Sequence, residues 1–316
     1  MATRDDPFSK RHHFQKISTD VDQTEFLAVR RGEAMVEAGV IDDRIAGAMD
    51  DFAVDGPMPD WQSTDLQNDN AASALMDEVA RRAIALGDDY PFEIVGARLR
   101  HKPSSSLVYE FCLAVGQSPS LTDGDFTQLP RLFERMTARI CADFMGAQTS
   151  FVHTGAPRDG SPAQSLKGAF GDIHSKSGEW RWDPEEDLPP GGPTAGDEGA
   201  DFFVWKAAPD GRKVGQLFLI GQCACGGDWR NKWNDLDPKR LTKWARGGAL
   251  IPPVRVFSTP VVIADGLLRE ASRHGGLVFD RLRLSKVAAT HREHFSKEPW
   301  DADLERAIAL VATALG

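Results

Sequence analysis

Residues 196–224 read GDEGADFFVWKAAPDGRKVGQLFLIGQCA, and their reading decides the fold. Asp201 to Lys206 (DFFVWK) has strand length and the aromatic and β-branched residues that strands favour. Pro209-Asp210-Gly211 is a turn signal. Gly215 to Cys223 (GQLFLIGQC) is a nearly continuous apolar run, which predicts a central strand covered on both faces. The two strands form a hairpin that sets a carboxylate, Asp201, beside the polar end of the next strand. Alternation puts Gln222 and Ala224 on one face and turns Cys223 to the other, into the core. A carboxylate at such a strand end is a hard-oxygen site suited to Mg²⁺.

Working outward, Gln128 to Met145 reads as a helix with an apolar stripe of Leu132, Phe133, Met136, Ile140 and Phe144, closed by Gly146. Thr149 to His153 reads as a strand, Ala163 to Ile173 as a helix, and Trp180 to Gly199 as a loop. Downstream, Trp229 to Gly247 is amphipathic and helical in pattern. Val254 to Ala264 reads as a strand, Leu277 to Leu284 alternates like another, and Asp301 to Leu315 is a terminal helix. From residue 128 the order is helix, strand, helix and loop, hairpin, helix, strand, which implies a mixed sheet flanked by helices. Upstream, residues 1–19 read as a frayed tail and Phe26 to Phe52 as a helix. Asp51 to Asn70 reads as a loop, Ala71 to Leu86 as a helix stopped by Gly87, and Tyr90 to Arg100 as a strand.

The chain has 316 residues, 41% hydrophobic and 27% charged, enough for a sizeable core. The absence of any long apolar run argues against a membrane span, and the polar start lacks a secretory pattern. Four sparse cysteines fit a reducing, cytoplasmic setting rather than a disulfide scaffold. The net charge is −10, and residues 1–99 carry all of it, with 20 Asp/Glu against 10 Lys/Arg. The remainder is neutral overall and free to present a basic face. Residues 229–246 carry a net +4 with Trp229, Trp233 and Trp244 interleaved, and residues 269–297 carry another +4. Basic groups among aromatics can track a phosphate backbone, or the tryptophans can belong to the core.

The block Asp197-x-Gly199-x-Asp201, a hairpin, then Gln222-x-Ala224 resembles the PD-(D/E)xK nuclease superfamily, closest to its Mrr-type domains. Glu134, in Leu132-Phe133-Glu134, resembles the acidic residue of that family's first core helix. The resemblance spans about residues 128–265. It implies an α/β, restriction-endonuclease-like core at 121–265, between a mainly helical, acidic N-terminal region with a short hairpin (1–120) and a C-terminal helical extension (266–316). It also implies Mg²⁺ or Mn²⁺, with Asp201, Glu134, Asp197 and the Cys223 backbone carbonyl as ligands. DNA is the implied substrate, with RNA left open, in a setting of bacterial defence or restriction. The acidic N-terminal region then suits a protein partner, and self-association fits the same picture. Two further blocks, Gln-Cys-Ala-x-Gly-x-x-Trp-x-x-Lys (Gln222 to Lys232) and Phe-Asp-Arg-x-Arg (Phe279 to Arg283), resemble an uncharacterised bacterial family.

The chain departs from the nuclease pattern at one position. The family lysine falls at 224, where this chain has alanine. Either its role passes to Lys232, or the site binds without cleaving, or a native lysine has been replaced. Lys206 is a poorer substitute, at the far end of its strand. The catalytic set expected is thus Asp201, Gln222, Lys232 and Glu134. The bland alternatives are a turn aspartate at 201, a loop aspartate at 197 and a solvated helix glutamate at 134. The Cys223/Cys225 pair lacks a partner pair for zinc, and His291-x-x-His294 reads as a surface pair in a charged segment.

Overall fold

The computed structural model describes residues 7–36, 61–155, 166–185, 198–245 and 247–316. Asp197 lies outside these residues, as does most of the loop preceding it. The N-terminal part comprises α1 (Pro7–Arg31), β1 (Glu33–Met35), α2 (Trp61–Leu86), the hairpin β2 (Phe92–Val95) and β3 (Arg98–His101), and α3 (Val108–Gln117). Its three strands form an antiparallel sheet in the order β1-β3-β2. Then follow α4 (Gln128–Met145), β4 (Thr149–His153), α5 (Leu166–Ser177), β5 (Phe202–Lys206) and β6 (Leu217–Cys223). Two single turns, α6 (Trp229–Lys232) and α7 (Pro238–Leu241), lead to β7 (Val254–Ser258), α8 (Asp265–Gly275), β8 (Leu277–Phe279), α9 (Arg281–Thr290) and α10 (Trp300–Ala314).

The protein is α/β, built on a five-stranded mixed sheet flanked by helices. The sheet runs β4-β5-β6-β7-β8, antiparallel across β4, β5 and β6 and parallel from β6 to β8. Both faces are covered, which is why FFVW and LFLIG read as continuous apolar runs. Phe202, Val204, Leu219 and Val256 face α3, α4, α9 and α10 in the main core. Phe203, Trp205, Phe218 and Ile220 face α5, Trp180 and Trp244 on the other side. Phe202 stands opposite Gly221, and its ring lies across that position. A methyl group there would come within 1.9 Å of the ring, so only glycine fits. The fifth strand lies beyond residue 265, so the sheet continues into the stretch read as an extension.

A buried charge network joins the N-terminal helices to the sheet. Arg82 of α2 and Arg281 of α9 are both 0% exposed. Arg281 grips Asp22 with two hydrogen bonds, at 2.8 and 2.9 Å, and gives its Nε proton to the Pro260 carbonyl. Arg82 donates to Asp22 (2.7 Å), Glu25 (2.8 Å), Glu78 (2.9 Å) and the Ser18 carbonyl (2.7 Å). Tyr90 and Tyr109 donate to Glu25 at 2.6 and 2.7 Å.

This network explains where the sequence misleads. The inward face of α1 carries Gln15, Ser18, Asp22 and Glu25, so the apolar stripe that signals a helix is diluted. Residues 7–19 are therefore helical rather than a frayed tail. Of the helix expected over 26–52, residues 26–31 are the end of α1 and the chain then turns at Gly32 into β1; residues 37–52 lie outside the described residues. Residues 61–70 open α2 rather than forming a loop, and residues 51–60 of the expected loop lie outside the described residues. Tyr90 to Arg100 is a hairpin turning at Gly96, and the alternating 277–284 stretch is a strand that becomes α9 at Asp280. The Asp280 carboxylate caps that helix by accepting from the Arg283 N–H at 3.1 Å. The helical pattern from Trp229 is realised as two single turns, α6 and α7, the second starting at Pro238 as a proline at a helix start suggests.

Burial pushes the Asp22 carboxyl up, but the charges of Arg281 and Arg82 outweigh it and hold the group below the usual carboxylate range. A depressed carboxylate contributes stability above its unfolded pKa and loses it as pH falls through the folded value. Arg281→Met should therefore cost about 3 kcal/mol at pH 7, because it leaves the buried Asp22 and Glu25 to share the single charge of Arg82. The deficit should shrink at acid pH, where Asp22 protonates. Urea unfolding of both proteins at pH 7 and pH 4 checks this; an equal deficit at both counts against the ion pair.

Candidate active site at the end of the sheet

Asp201 directly precedes β5, and backbone bonds fix it from both sides. Its N–H donates to the Gly221 carbonyl at 2.8 Å. Its carbonyl accepts from Thr154 (2.7 Å) and Gly155 (3.0 Å), where the chain leaves β4. Its carboxylate accepts from the Cys223 N–H at 2.6 Å, so the acid is folded onto the last residue of β6.

Glu134 comes from the first half of α4. Its carboxylate meets His153, at the end of β4, with Nε2 and Oε2 2.6 Å apart. Register places His153 opposite Phe202, so the imidazole lies on the α4 face, one residue from Asp201. Gly155 makes room for the pair, since a Cβ there would stand 2.3 Å from Glu134 Oε2 and 3.0 Å from His153 Nε2. The sequence reading passed over His153. The available signal was its position as the last residue of a strand whose exit lies beside Asp201.

Cys223 links the two acids. Burial pushes its thiol well above the ordinary range, and the charges of Asp201 and then Glu134 push it further. Cys225 is raised by burial, Glu134 and Asp201, with Lys232 pulling the other way. Cys223 and Cys225 both pack against the main core, on the α4 side, as alternation requires.

Gln222 is buried, and its Oε1 has no hydrogen-bond partner among the described residues. Ala224, at the family's lysine position, is 1% exposed in a cluster with Trp229, Phe257 and Leu267. Lys232 ends α6 with its ammonium 3.8 Å from Asp228. Lys206 is confirmed at the far end of β5, where it donates to the Met145 carbonyl at 2.6 Å. Beside Asp197, Glu198 pairs with Lys243 at 2.5 Å and accepts from the Trp244 indole at 3.3 Å. Asp201, Glu134 and His153 do not converge within 4.8 Å. Among the described residues, the trio of His, Cys, Asp or Glu that does so is Asp143, His291 and His294.

The basic stretches are thinner than their composition suggests. Trp229 and Trp244 are core residues, so neither is a stacking platform, and Arg281 is spent on Asp22. Arg269, Arg273 and Arg283 do line one open groove beside α8.

If both acids act on Cys223, removing either charge should make its thiol more acidic. Asp201→Asn and Glu134→Gln should each speed alkylation of Cys223 by iodoacetamide at pH 8 several-fold, whereas Lys232→Ala should slow that of Cys225. Peptide mass spectrometry of timed samples reads each thiol separately. Unchanged Cys223 rates in both acid variants would separate the two carboxylates.

Comparison with models of known protein families gives no match, and comparison with characterised proteins gives none. Among solved structures, the MspJI restriction endonuclease in complex with a 27-mer oligonucleotide is 12% identical, with a TM-score of 0.26. The alignment covers 62% of this chain and 37% of that one, so the chain spans well under half the endonuclease's length. A likeness of that score carries no argument about fold or activity. Among the described residues, no helix is long and apolar enough to cross a membrane.

Proposed function

We propose that this protein hydrolyses phosphodiester bonds in DNA with the aid of a divalent cation, Mg²⁺ or Mn²⁺, at the sheet end that carries Asp201 and Glu134. The observation behind this reading is geometric: Asp201 is folded onto the Cys223 N–H at the end of β6, and Glu134 of α4 meets His153, which stands opposite the neighbouring Phe202. The element order from α4 to β7 is the one the nuclease resemblance leads one to expect.

The donor chemistry fits a hard cation. Asp201 and Glu134 offer carboxylate oxygens, and Gln222 offers a buried amide oxygen without a partner among the described residues. An unsatisfied buried carbonyl is costly, and an ion offsets that cost. When bound, the cation supplies Lewis acidity, easing deprotonation of an attacking water and offsetting phosphate charge. Asp201 is held for ligation by the Cys223 N–H. His153 positions Glu134, and the Cys223 carbonyl and Asp197 belong to the same proposed ligand set. Lys232 stabilises charge on the attacked phosphate once it leaves Asp228. The groove of Arg269, Arg273 and Arg283 suits the DNA backbone. A role in bacterial defence or restriction, self-association, and a partner for the acidic N-terminal region complete this reading.

A second reading has its own support. Ala224 is sealed in an apolar cluster, and Lys232 is engaged with Asp228. On that reading the chain binds nucleic acid, or a partner in a multi-protein complex, without cleaving.

Plasmid DNA incubated with purified protein and Mg²⁺ or Mn²⁺ separates the two. Cleavage should occur, stop with EDTA, and fall roughly 100-fold or more in Asp201→Ala, since even the outer-shell partners of metal ligands are worth about 10–100-fold. Lys232→Ala should lower the rate while leaving metal affinity intact. Salt-sensitive DNA binding with no cleavage in either metal favours the second reading.

A further inference from the structure

Asp143, His291 and His294 form a cluster at the opposite end of α4. Asp143 follows Glu134 by nine residues, about 13 Å along the helix axis. It adjoins the entry to β4, whereas His153 ends that strand. The two places are therefore separate.

The cluster is built by short-range geometry. α9 ends at Thr290 with His291 as its C-cap, and residues 292–294 form a 3₁₀ turn. In that geometry side chains three apart project on one side, and the two imidazole planes are within 6° of parallel. They face the last turns of α4, where the Asp143 carboxylate is only 5% exposed and lies 3.0 Å from His294 Nδ1. One ligand atom from each of the three side chains lies within 4.8 Å of the other two. A tetrahedral ion with bonds of about 2.0–2.2 Å spaces its ligands roughly 3.3–3.6 Å apart, so little contraction is needed. The three line a pocket of about 310 Å³ that also holds Arg139, Thr149 and Phe151.

The pocket already holds a cation. Arg139 Nη2 stands 2.8 Å from Asp143 Oδ1 and 2.6 Å from His294 Nδ1, so a guanidinium nitrogen lies between two of the three donors. Arg139 reaches it from the surface, with its side chain 29% exposed. Glu293 adds a carboxylate at the rim, 3.7 Å from His294 and 4.0 Å from His291.

We propose that Asp143, His291 and His294 bind a single transition-metal cation of the zinc class, with Arg139 swinging to solvent to admit it. Two imidazoles and one carboxylate favour Zn²⁺ and Co²⁺ over Mg²⁺. Glu293 or water fills the fourth position. The ion ties the end of α4 to the turn between α9 and α10.

The test uses EDTA-treated full-length protein titrated with Co²⁺, read by its visible absorption, and with Zn²⁺ by calorimetry. One Co²⁺ per chain should bind with a tetrahedral spectrum lacking a thiolate band, be displaced by Zn²⁺, and persist in millimolar Mg²⁺. His294→Ala should weaken binding at least roughly tenfold, and Arg139→Gln should strengthen it, a gain that misfolding cannot imitate. Asp201→Ala should keep the site, which separates it from the proposed nuclease centre. Circular dichroism confirms that each variant is folded. The proposal is overturned if folded His291→Ala and His294→Ala proteins bind Co²⁺ as the parent does. It is equally overturned if neither the parent nor Arg139→Gln binds.

Discussion

Two arginines without solvent access hold this molecule together. Arg82 and Arg281 converge on Asp22, and Arg82, Tyr90 and Tyr109 complete the set around Glu25. Removing two guanidinium groups from water is expensive, and only full pairing makes it tolerable. Pairing of that quality demands that α1, α2, α3 and the start of α9 arrive together. Asp280, the neighbour of Arg281, caps α9 and also accepts from the Ile263 N–H at 3.2 Å. The constraint thus passes from the N-terminal helices into the segments that follow β7 and β8. The Phe279–Arg283 block is explained by this packing: one residue caps, one is paired in the core, and one anchors to the Val278 carbonyl.

The sheet converts this rigidity into placement. β5 and β6 are sandwiched between two apolar layers, so their register cannot slip without turning Phe202 and Phe203 inside out. That register presents Asp201, Gln222 and Cys223 at one end, and α4, packed over the same strands, adds Glu134. Asp201 is held by the Cys223 N–H and Glu134 by His153, whereas Asp22 is gripped by two guanidinium groups.

Much of this was legible in the sequence. Gln128–Met145 and the hairpin from 201 to 223 were readable because their burial follows a clean period: a 3.6-residue stripe in one, continuous apolar runs in the other. The carboxylate at the hairpin's mouth followed from strand alternation and turn chemistry alone. What was hidden shares a cause. α1 buries polar atoms, so its inward face resembles a surface. Trp229 and Trp244 lie among positive charges, so they resemble a binding face while belonging to the core. His153 gains its neighbour from α4 through tertiary packing, which no spacing in the chain announces. His291 and His294 were visible as a pair, but the aspartate that faces them lies some 150 residues earlier.

The side chain of Gln15 behaves like a spare peptide unit. It donates to the Val262 carbonyl at 2.9 Å and accepts from the Ala264 N–H at 3.0 Å, nearly 250 residues downstream. On the ribosome, α1 leaves the exit tunnel long before its docking surface exists. A helix with a wholly greasy inner stripe would spend that interval seeking other hydrophobic company. This one mixes an amide, two hydroxyls and two acids with Val21, Phe26 and Ala28 on its inner face, so less of that face seeks such company before docking.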